Sequence, residues 1–299
     1  MNGYDEPVPS PVAVITGAAN GVGLETARRL ARTHRVALLD IDEEALNKAA
    51  ADVDGETAAF ACDITDARSV AAAVSAVIAR FGAIDVAVSN AGIGAVGAAR
   101  HLDPGVLATV LDVNVTGNWR FIHACLPHLA RSRGYLLGVA SAAAIFCPPG
   151  ESMYAASKAA LEALLDVVRV EVAHLGIDVG VAYMMFIDTP MVRDSDREHS
   201  DFARMRSMLR GPAAKTYPVS MAADALARGV EQRARQVFVP RSLKYQYLLR
   251  GVLKRLTDRE FRPIAPHIDR LTEEKAATRG SFGAAFSAST RGHRTADEA

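Results

Sequence analysis

Short, continuously apolar runs of strand length alternate along the chain with longer segments rich in Ala, Leu, Arg and Glu. The apolar runs cover residues 12–15, 36–39, 58–61, 84–88, 136–139, 177–182 and 237–239. The helix-length segments between them include residues 23–33, 43–51, 66–81 and 152–175. Alternation of this kind predicts parallel βαβ units, and strands without polar positions favour a sheet covered on both faces. We therefore expect an α/β fold, a doubly wound parallel sheet flanked by helices, in a single domain over residues 11–240.

Several segments depart from this alternation. Residues 190–218 mix dense charge with scattered Met and Leu, which predicts an exposed helical flap. Residues 241–275 form a C-terminal helical extension, whose first part, 241–262, carries seven Lys or Arg and two Asp or Glu between Leu, Val and Tyr residues. That mixture predicts a basic amphipathic helix. The small, polar residues 276–299 predict a disordered tail, and residues 1–10 an N-terminal tail.

Composition narrows the class of protein without identifying it. Half of the 299 residues are apolar, and 34 Lys plus Arg balance 34 Asp plus Glu, which excludes general disorder and argues against a nucleic-acid-binding protein. Cys62, Cys125 and Cys147 are odd in number and far apart, so we expect no disulfide framework and no metal site. Because we find neither a secretory leader nor an apolar stretch of bilayer length, we expect a cytoplasmic protein.

A glycine-rich segment follows the first strand directly and opens a helix. Its three glycines allow a tight turn and a close approach of the backbone to a pyrophosphate, whose charge then lies at the positive end of the helix. By itself the spacing is a weak signal, because a glycine-rich turn without a ligand is the simpler alternative. Its place between a strand and a helix favours a dinucleotide site formed by Gly17, Asn20, Gly21, Val22 and Gly23.

Asp40 closes the second strand, where a dinucleotide-binding fold places the carboxylate that accepts hydrogen bonds from the adenosine ribose. A carboxylate at this point repels a 2′-phosphate. Neither Asn20 nor Ile41 supplies a cation, and Asp42 adds a second negative charge, so the pattern favours NAD over NADP as the cofactor. A solvated acid at a strand end is the alternative.

Tyr154 and Lys158 are four residues apart on a predicted helix, so they share one face. A phenol titrates at about 10 and is a poor base at neutral pH, but a nearby ammonium favours the phenolate and lowers its pKa. Tyr154 could then transfer a proton. A surface lysine beside a packed tyrosine is the alternative.

The Gly-x-x-x-Gly-x-Gly and Tyr-x-x-x-Lys patterns together resemble the short-chain dehydrogenase/reductase family, and the match extends over residues 11–240. The resemblance implies a Rossmann-like fold in which Ser141, thirteen residues before Tyr154, orients the substrate oxygen. It implies that Asn114 holds a water in a proton relay to Lys158, which also binds the nicotinamide ribose. A polar group that satisfies local backbone is the alternative for Asn114. The resemblance implies further cofactor contacts from Asp63, Ile64, Asn90, Ala91, Gly92, Ile187 and Thr189.

Met184-Met185 stands where this family usually has Pro-Gly after the sixth strand. Two thioether side chains would reshape the floor of the nicotinamide site and make it more apolar. The alternative is ordinary sequence variation within the family that leaves the backbone path unchanged. The flap 190–218 is expected beside the substrate. By family position, the substrate cleft is expected to be lined by Ile93, Ala143, Phe146, Met185, Phe186 and Met191.

These features predict an NAD-dependent oxidoreductase that interconverts a secondary alcohol and a ketone, with Tyr154 as the acid/base. The apolar lining favours a hydrophobic substrate, such as a steroid, terpenoid or lipid derivative. A non-catalytic NAD-binding regulator or scaffold is the alternative. In the resembled family the helix that carries Tyr154 pairs across a subunit interface, so we expect a homodimer or homotetramer.

The C-terminal extension needs a surface to cover its apolar side. One interpretation docks it on the protein, either capping the substrate cleft or packing on a neighbouring subunit. The other places residues 241–262 in peripheral contact with an anionic membrane.

Overall fold

The computed structural model describes residues 10–209 and 211–286. The strands are β1 (Val12–Thr16), β2 (Arg35–Asp40), β3 (Thr57–Ala61), β4 (Val86–Ser89), β5 (Tyr135–Val139), β6 (Asp178–Met184) and β7 (Gln236–Val239). Within the described residues they form one parallel, seven-stranded sheet in the spatial order β3-β2-β1-β4-β5-β6-β7.

Helices connect the strands and continue beyond the last one. They are α1 (Gly21–Leu30), α2 (Glu43–Ala51), α3 (Ala67–Phe81), α4 (Gly105–Leu111), α5 (Asn118–Ser132), α6 (Ala143–Phe146), α7 (Ser152–Val172), α8 (Pro190–Glu198), α9 (Ser200–Met208), α10 (Val219–Glu231), α11 (Leu243–Leu248), α12 (Arg250–Phe261) and α13 (Ala265–Gly283). A π-helical turn, Asp112–Gly117, joins α4 to α5. The flap predicted over 190–218 is helical and contains α8 and α9.

The central strand β1 is buried on both faces. Val12 and Val14 pack into one core cluster with α3, α5 and α7. Ala13 and Ile15 pack into a second cluster with α1, α2 and α10. Because successive strand side chains point to opposite faces, a strand with helices on both sides needs an apolar residue at every position. This packing confirms the predicted helix-covered sheet.

The strand order reverses beside β1, which pairs with β2 on one side and with β4 on the other. The loops that follow these two neighbours therefore lead away from each other. In doubly wound sheets such a switch point leaves a crevice at the carboxyl ends of the strands, where ligands bind. The structure thus confirms the predicted doubly wound α/β class. The carboxyl ends of β1 and β4 are the expected place for a ligand-binding site.

The prediction of disorder from residue 276 is wrong for residues 276–286. Helix α13 continues to Gly283, and the next three residues are buried. Two of them are alanines, whose small side chains allow the chain to approach the loop after β4. There the Val96 amide donates a 3.0 Å hydrogen bond to the Ala285 carbonyl.

Two parts of the predicted tails, residues 1–9 and 287–299, lie outside the described residues. In the part of the chain that is described, no helix combines the length and the apolar character needed to cross a membrane.

Candidate active site

A cleft of about 750 Å³ opens at the carboxyl ends of the strands, across the switch point. Most residues that the sequence assigned to cofactor or substrate meet in its walls. They are Gly17, Asn20, Gly21, Val22, Asp40, Ile41, Asp63, Ile64, Asn90, Ala91, Gly92, Ser141, Tyr154, Lys158, Met185, Ile187 and Thr189. Five other predicted site residues do not line it: Gly23, Asn114, Ala143, Phe146 and Phe186.

The glycine turn has the backbone that its sequence predicts. Gly17 and Gly21 adopt positive φ angles of 65° and 57°, a conformation that residues with a Cβ rarely adopt. Gly23 serves packing instead, because a Cβ there would lie 2.0 Å from the Gly17 carbonyl oxygen. The turn leads directly into α1, so the first amides of that helix face the cleft end of β1 and suit an anionic group.

Asp40 joins the end of β2 to this turn. Its Oδ2 accepts a 2.9 Å hydrogen bond from the Ala19 amide, and its Oδ1 accepts one of 3.3 Å from the Asp42 amide. Each carboxylate oxygen can accept a second hydrogen bond. Asp40 therefore fixes the turn and retains the capacity to bind hydroxyl groups.

Asn90 is a structural link between the ends of β1 and β4. Its side-chain amide donates to the carbonyl oxygens of Thr16 (2.9 Å) and Gly17 (3.1 Å). The Thr16 hydroxyl in turn accepts from the backbone amides of Asn90 and Ala91. Gly92, two residues on, leaves space that a side chain would fill, since a Cβ there would lie 3.2 Å from Lys158 Nζ.

Asp63 and Ile64 form the cleft wall after β3. The Asp63 carboxylate accepts hydrogen bonds from the amide (2.8 Å) and the hydroxyl (2.7 Å) of Thr65. These bonds form an Asx turn. The structure thus gives Asp63 a structural role within a wall of the cleft.

Asn114 is fully buried in the π-helical turn behind the cleft. Its Oδ1 accepts a 2.8 Å hydrogen bond from the Ile93 amide, and its Nδ2 donates to the Ile93 carbonyl (2.9 Å) and to Ser157 Oγ (3.0 Å). The Asn114 side chain therefore forms hydrogen bonds with nearby backbone groups, which is the structural role given above as the alternative to a role in the proton relay. Isolated π-helical turns are rare and occur frequently at functional sites.

Tyr154 and Lys158 extend from α7 towards Ser141 at the end of β5. The Ser141 hydroxyl lies beside the Tyr154 phenol and accepts a 3.1 Å hydrogen bond from the Ala143 amide. Lys158 is buried, and its Nζ donates a 3.0 Å hydrogen bond to the Val139 carbonyl. The same Nζ lies 5.8 Å from the centroid of the Tyr154 ring. The three side chains thus lie on one wall of the cleft.

The protonation of this group differs from the expectation. Burial raises the pKa of Tyr154 to about 12, although the Ser141 hydrogen bond acts in the opposite direction. Burial also lowers the pKa of Lys158 to about 8. The predicted lowering of the Tyr154 pKa by a neighbouring ammonium is therefore wrong for this arrangement, because loss of hydration dominates and Lys158 is directed to Val139.

Glu151 was not anticipated from the sequence. It lies at the N-terminus of α7 and is buried, and burial raises its pKa to about 7 against the attraction of the Arg206 guanidinium. Its negative charge contributes to the raised pKa of Tyr154. A buried acid one turn before the tyrosine has no recognisable sequence signal.

Met184 and Met185 keep the backbone path of the sheet. The Met184 carbonyl accepts a hydrogen bond from the Ala142 amide after β5, and the Met185 amide donates one to the Val239 carbonyl of β7, both at 2.9 Å. Both side chains are buried and line the cleft. Replacing Pro-Gly by two methionines thus leaves an extended backbone with an apolar floor.

The apolar lining differs in part from the expected set. Ile93, Met185 and Met191 line the cleft, whereas Ala143, Phe146 and Phe186 do not. Phe146 packs on the main core cluster, and Phe186 packs edge-on against Phe202 at 5.7 Å between ring centroids. The substrate assignment of Phe146 is therefore wrong, because the short helix α6 directs it to the core.

The start of the predicted disordered tail supplies cleft residues that the sequence did not indicate. Phe282, Gly283 and Phe286 line the cleft, and the two rings contact each other at 5.3 Å between centroids. Phe286 is buried against Leu102 and Val106, whereas Phe282 is 40% exposed at the opening. The spacing of four residues between the phenylalanines was the one available signal, and the small polar composition around them obscured it.

The comparisons with known proteins agree with this geometry. A family model described as short chain dehydrogenase matches residues 11–200. The chain is 39% identical over 199 residues to 2-(R)-hydroxypropyl-CoM dehydrogenase of Xanthobacter autotrophicus, which covers 62% of this chain and 77% of the relative. The chain therefore belongs to the short-chain dehydrogenase family of oxidoreductases.

Solved structures show the same fold. A short chain dehydrogenase/reductase from Burkholderia phymatum in complex with NAD has a TM-score of 0.73 at 23% identity, covering 83% of this chain and 95% of that one. A 3-ketoacyl-(acyl-carrier-protein) reductase from Brucella melitensis complexed with NADH has a TM-score of 0.69 at 26% identity, covering 77% and 97%. Relatives of this fold thus bind a nicotinamide dinucleotide.

Proposed function

We propose that the protein is an NAD-dependent oxidoreductase that interconverts a secondary alcohol and a ketone, with Tyr154 as the acid/base. The observation that carries the proposal is the convergence of Ser141, Tyr154 and Lys158 with the glycine turn on one cleft. A switch-point crevice that is lined by both a phosphate cradle and the hydroxyl groups of Ser141 and Tyr154 suits a dinucleotide and a small polar reacting group.

The chain's own residues fit a nicotinamide dinucleotide. Gly17 and Gly21 shape the turn for a pyrophosphate, and the space at Gly92 is one that a Cβ would fill. Among the described residues that line the cleft, the charged ones are Asp40, Asp63 and Lys158. Two carboxylates and no cation at the β2 and β3 ends favour NAD over NADP. When bound, NAD supplies the acceptor for a hydride, and NADH the donor.

Proton transfer is assigned to Tyr154. In ketone reduction the neutral phenol donates its proton to the developing alkoxide oxygen, and the high pKa of the buried phenol keeps it protonated at neutral pH. In alcohol oxidation the substrate hydroxyl loses its proton to the phenolate. The Ser141 hydroxyl orients the substrate oxygen by a hydrogen bond, and Lys158 binds the nicotinamide ribose.

The substrate is proposed to be apolar around its reacting carbon. Ile93, Met185, Met191, Phe282 and Phe286 line the cleft with apolar side chains. Among the described residues no arginine lines the cleft, so a carboxylate or phosphate on the substrate would find no guanidinium there. A hydrophobic alcohol or ketone fits this lining best.

A non-catalytic NAD-binding scaffold is the second candidate function, and the Met184-Met185 floor is the observation that favours it. The two functions are distinguished by measuring NADH formation when the purified protein is incubated with NAD and a panel of secondary alcohols, from small to steroid-sized. The proposal expects NADH formation that increases with the apolar character of the alcohol. Saturable binding of NAD without turnover of any alcohol, and without NADH consumption on the matching ketones, would identify a scaffold.

A further inference from the structure

The outer surface of α11 and α12 exposes a compact set of large apolar side chains. Tyr245, Leu248, Leu249 and Val252, called here the apolar patch, are 55–70% exposed. Counted from Tyr245, they occupy positions i, i+3, i+4 and i+7, the pattern that places helical side chains on one face. Single exposed apolar residues are ordinary, but four within one short segment mark an interaction surface.

The opposite side of the same segment is already docked on the domain. Leu243 is fully buried, and the Tyr247 ring packs 4.9 Å from that of Tyr183. Arg250 Nη1 lies 2.6 Å from Glu162 Oε1 on α7, and its guanidinium covers the Tyr247 ring at 4.5 Å. Since these contacts hold the inner side in place, the apolar patch is a second, outward face.

The surroundings of the apolar patch are basic. Residues 241–262 contain seven Lys or Arg and two Asp or Glu. Arg241 and Lys244, directly before the patch, are exposed and make no ion pair with any described residue. An apolar face with uncompensated positive charge beside it complements a surface that is apolar inside and anionic outside.

We propose that the apolar patch and the basic residues around it dock the protein peripherally on an anionic lipid bilayer. A second copy of the chain fits this face less well, because a symmetric contact would bring two identical sets of positive charges together. Leucine and valine side chains could enter the acyl boundary while the arginines and lysines contact lipid headgroups. The proposal concerns binding and does not depend on turnover.

Co-sedimentation of the full chain with vesicles tests this inference. Vesicles of phosphatidylcholine containing about one third phosphatidylserine are compared with vesicles of phosphatidylcholine alone. We expect binding to the anionic vesicles only, with a loss of binding as salt is raised. Leu248→Ser/Leu249→Ser should weaken binding by about tenfold or more, and Lys244→Glu should weaken it at low salt.

Leu107→Ser/Leu175→Ser is the matched control, because it removes two exposed leucines from other surfaces of the domain. This control should bind like the parent, and all variants should melt at similar temperatures. The inference is overturned if the parent ignores anionic vesicles, or if the apolar patch variant binds as tightly as the control. It is also overturned if the patch variant changes the oligomeric state, because the patch would then be a contact between copies.

Discussion

Lys158 is a buried amine whose pKa is lowered by loss of hydration to about 8, from 10.5 in an unfolded chain. Between these two pH values the unfolded chain binds more protons than the folded one, so the free energy of unfolding rises with pH. The cost of burying the ammonium is fully present below pH 8 and is relieved as pH approaches 10.5. The same cation that the proposed chemistry needs therefore lowers stability at neutral pH.

Replacing Lys158 by Met should remove this pH dependence. Urea unfolding of the parent and of Lys158→Met, measured at several values between pH 7.5 and 9.5, should show the parent gaining stability relative to the variant as pH rises. Lys215→Met, at an exposed lysine, is the control and should follow the parent at every pH. Parallel curves for the parent and Lys158→Met would show that Lys158 titrates normally.

We propose that the Asp40 carboxylate makes the protein prefer NAD to NADP. Asp40→Ala removes a charged hydrogen-bond acceptor at the β2 end of the cleft, so NADH affinity should fall by about 10- to 100-fold and the difference from NADPH should narrow. Fluorescence titration with both nucleotides measures this change. Asp54→Ala is the control, because Asp54 is an exposed acid that does not line the cleft. A parent protein that prefers NADPH would contradict the assignment.

At the scale of elements, the sheet and its helices were predictable because two-sided burial leaves a continuous apolar run for each strand. The glycine turn was predictable as well, since Gly17 and Gly21 need φ angles that other residues rarely adopt. The side chain of Phe146 was not, because family position does not say which way α6 turns. The sequence also does not show how far the Tyr154 phenol is removed from water, so it predicted the wrong direction for the shift of its pKa.

The C-terminal extension divides into parts with separate roles. Its end, with Phe282 and Phe286, lines the cleft, whereas the outer face of α11 and α12 does not. A bidentate ion pair of Arg100 with Asp269, with both distances 2.6 Å, and a hydrogen bond from the Ala98 amide to Thr272 Oγ1 fix α13 beside the loop after β4. The chain after β7 therefore contains two separate surfaces, one in the wall of the cleft and one on the outside of the domain.

The two phenylalanines at this end should respond differently to truncation. Phe282→Ala should raise KM for bulky apolar substrates and leave the melting temperature nearly unchanged, because the ring is half exposed. Phe286→Ala removes a buried ring and should lower the free energy of unfolding by about 3–5 kcal/mol. Steady-state kinetics and urea unfolding measure the two effects. Equal KM values for the parent and Phe282→Ala across the alcohol panel would exclude a role of Phe282 in substrate binding.

At the scale of the whole molecule, α7 presents a second exposed apolar surface, with Val167 57% and Val170 77% exposed. We expect this helix to pair with a second copy, which gives a homodimer or homotetramer. Sedimentation velocity should show the oligomer for the parent and smaller species for Val167→Glu/Val170→Glu, because paired carboxylates resist burial. The Leu248→Ser/Leu249→Ser variant should retain the parental assembly. A parent that sediments as a monomer at micromolar concentration would contradict this prediction.

The measurement that most directly tests the proposed chemistry compares turnover with cofactor binding in Tyr154→Phe. The substitution removes the hydroxyl that exchanges the proton and keeps the ring in the cleft wall. We predict that kcat for the best alcohol of the panel falls by about 10²- to 10⁴-fold, while the NADH dissociation constant and the melting temperature stay close to those of the parent. Activity within a few-fold of the parent would contradict the role of Tyr154 as the acid/base.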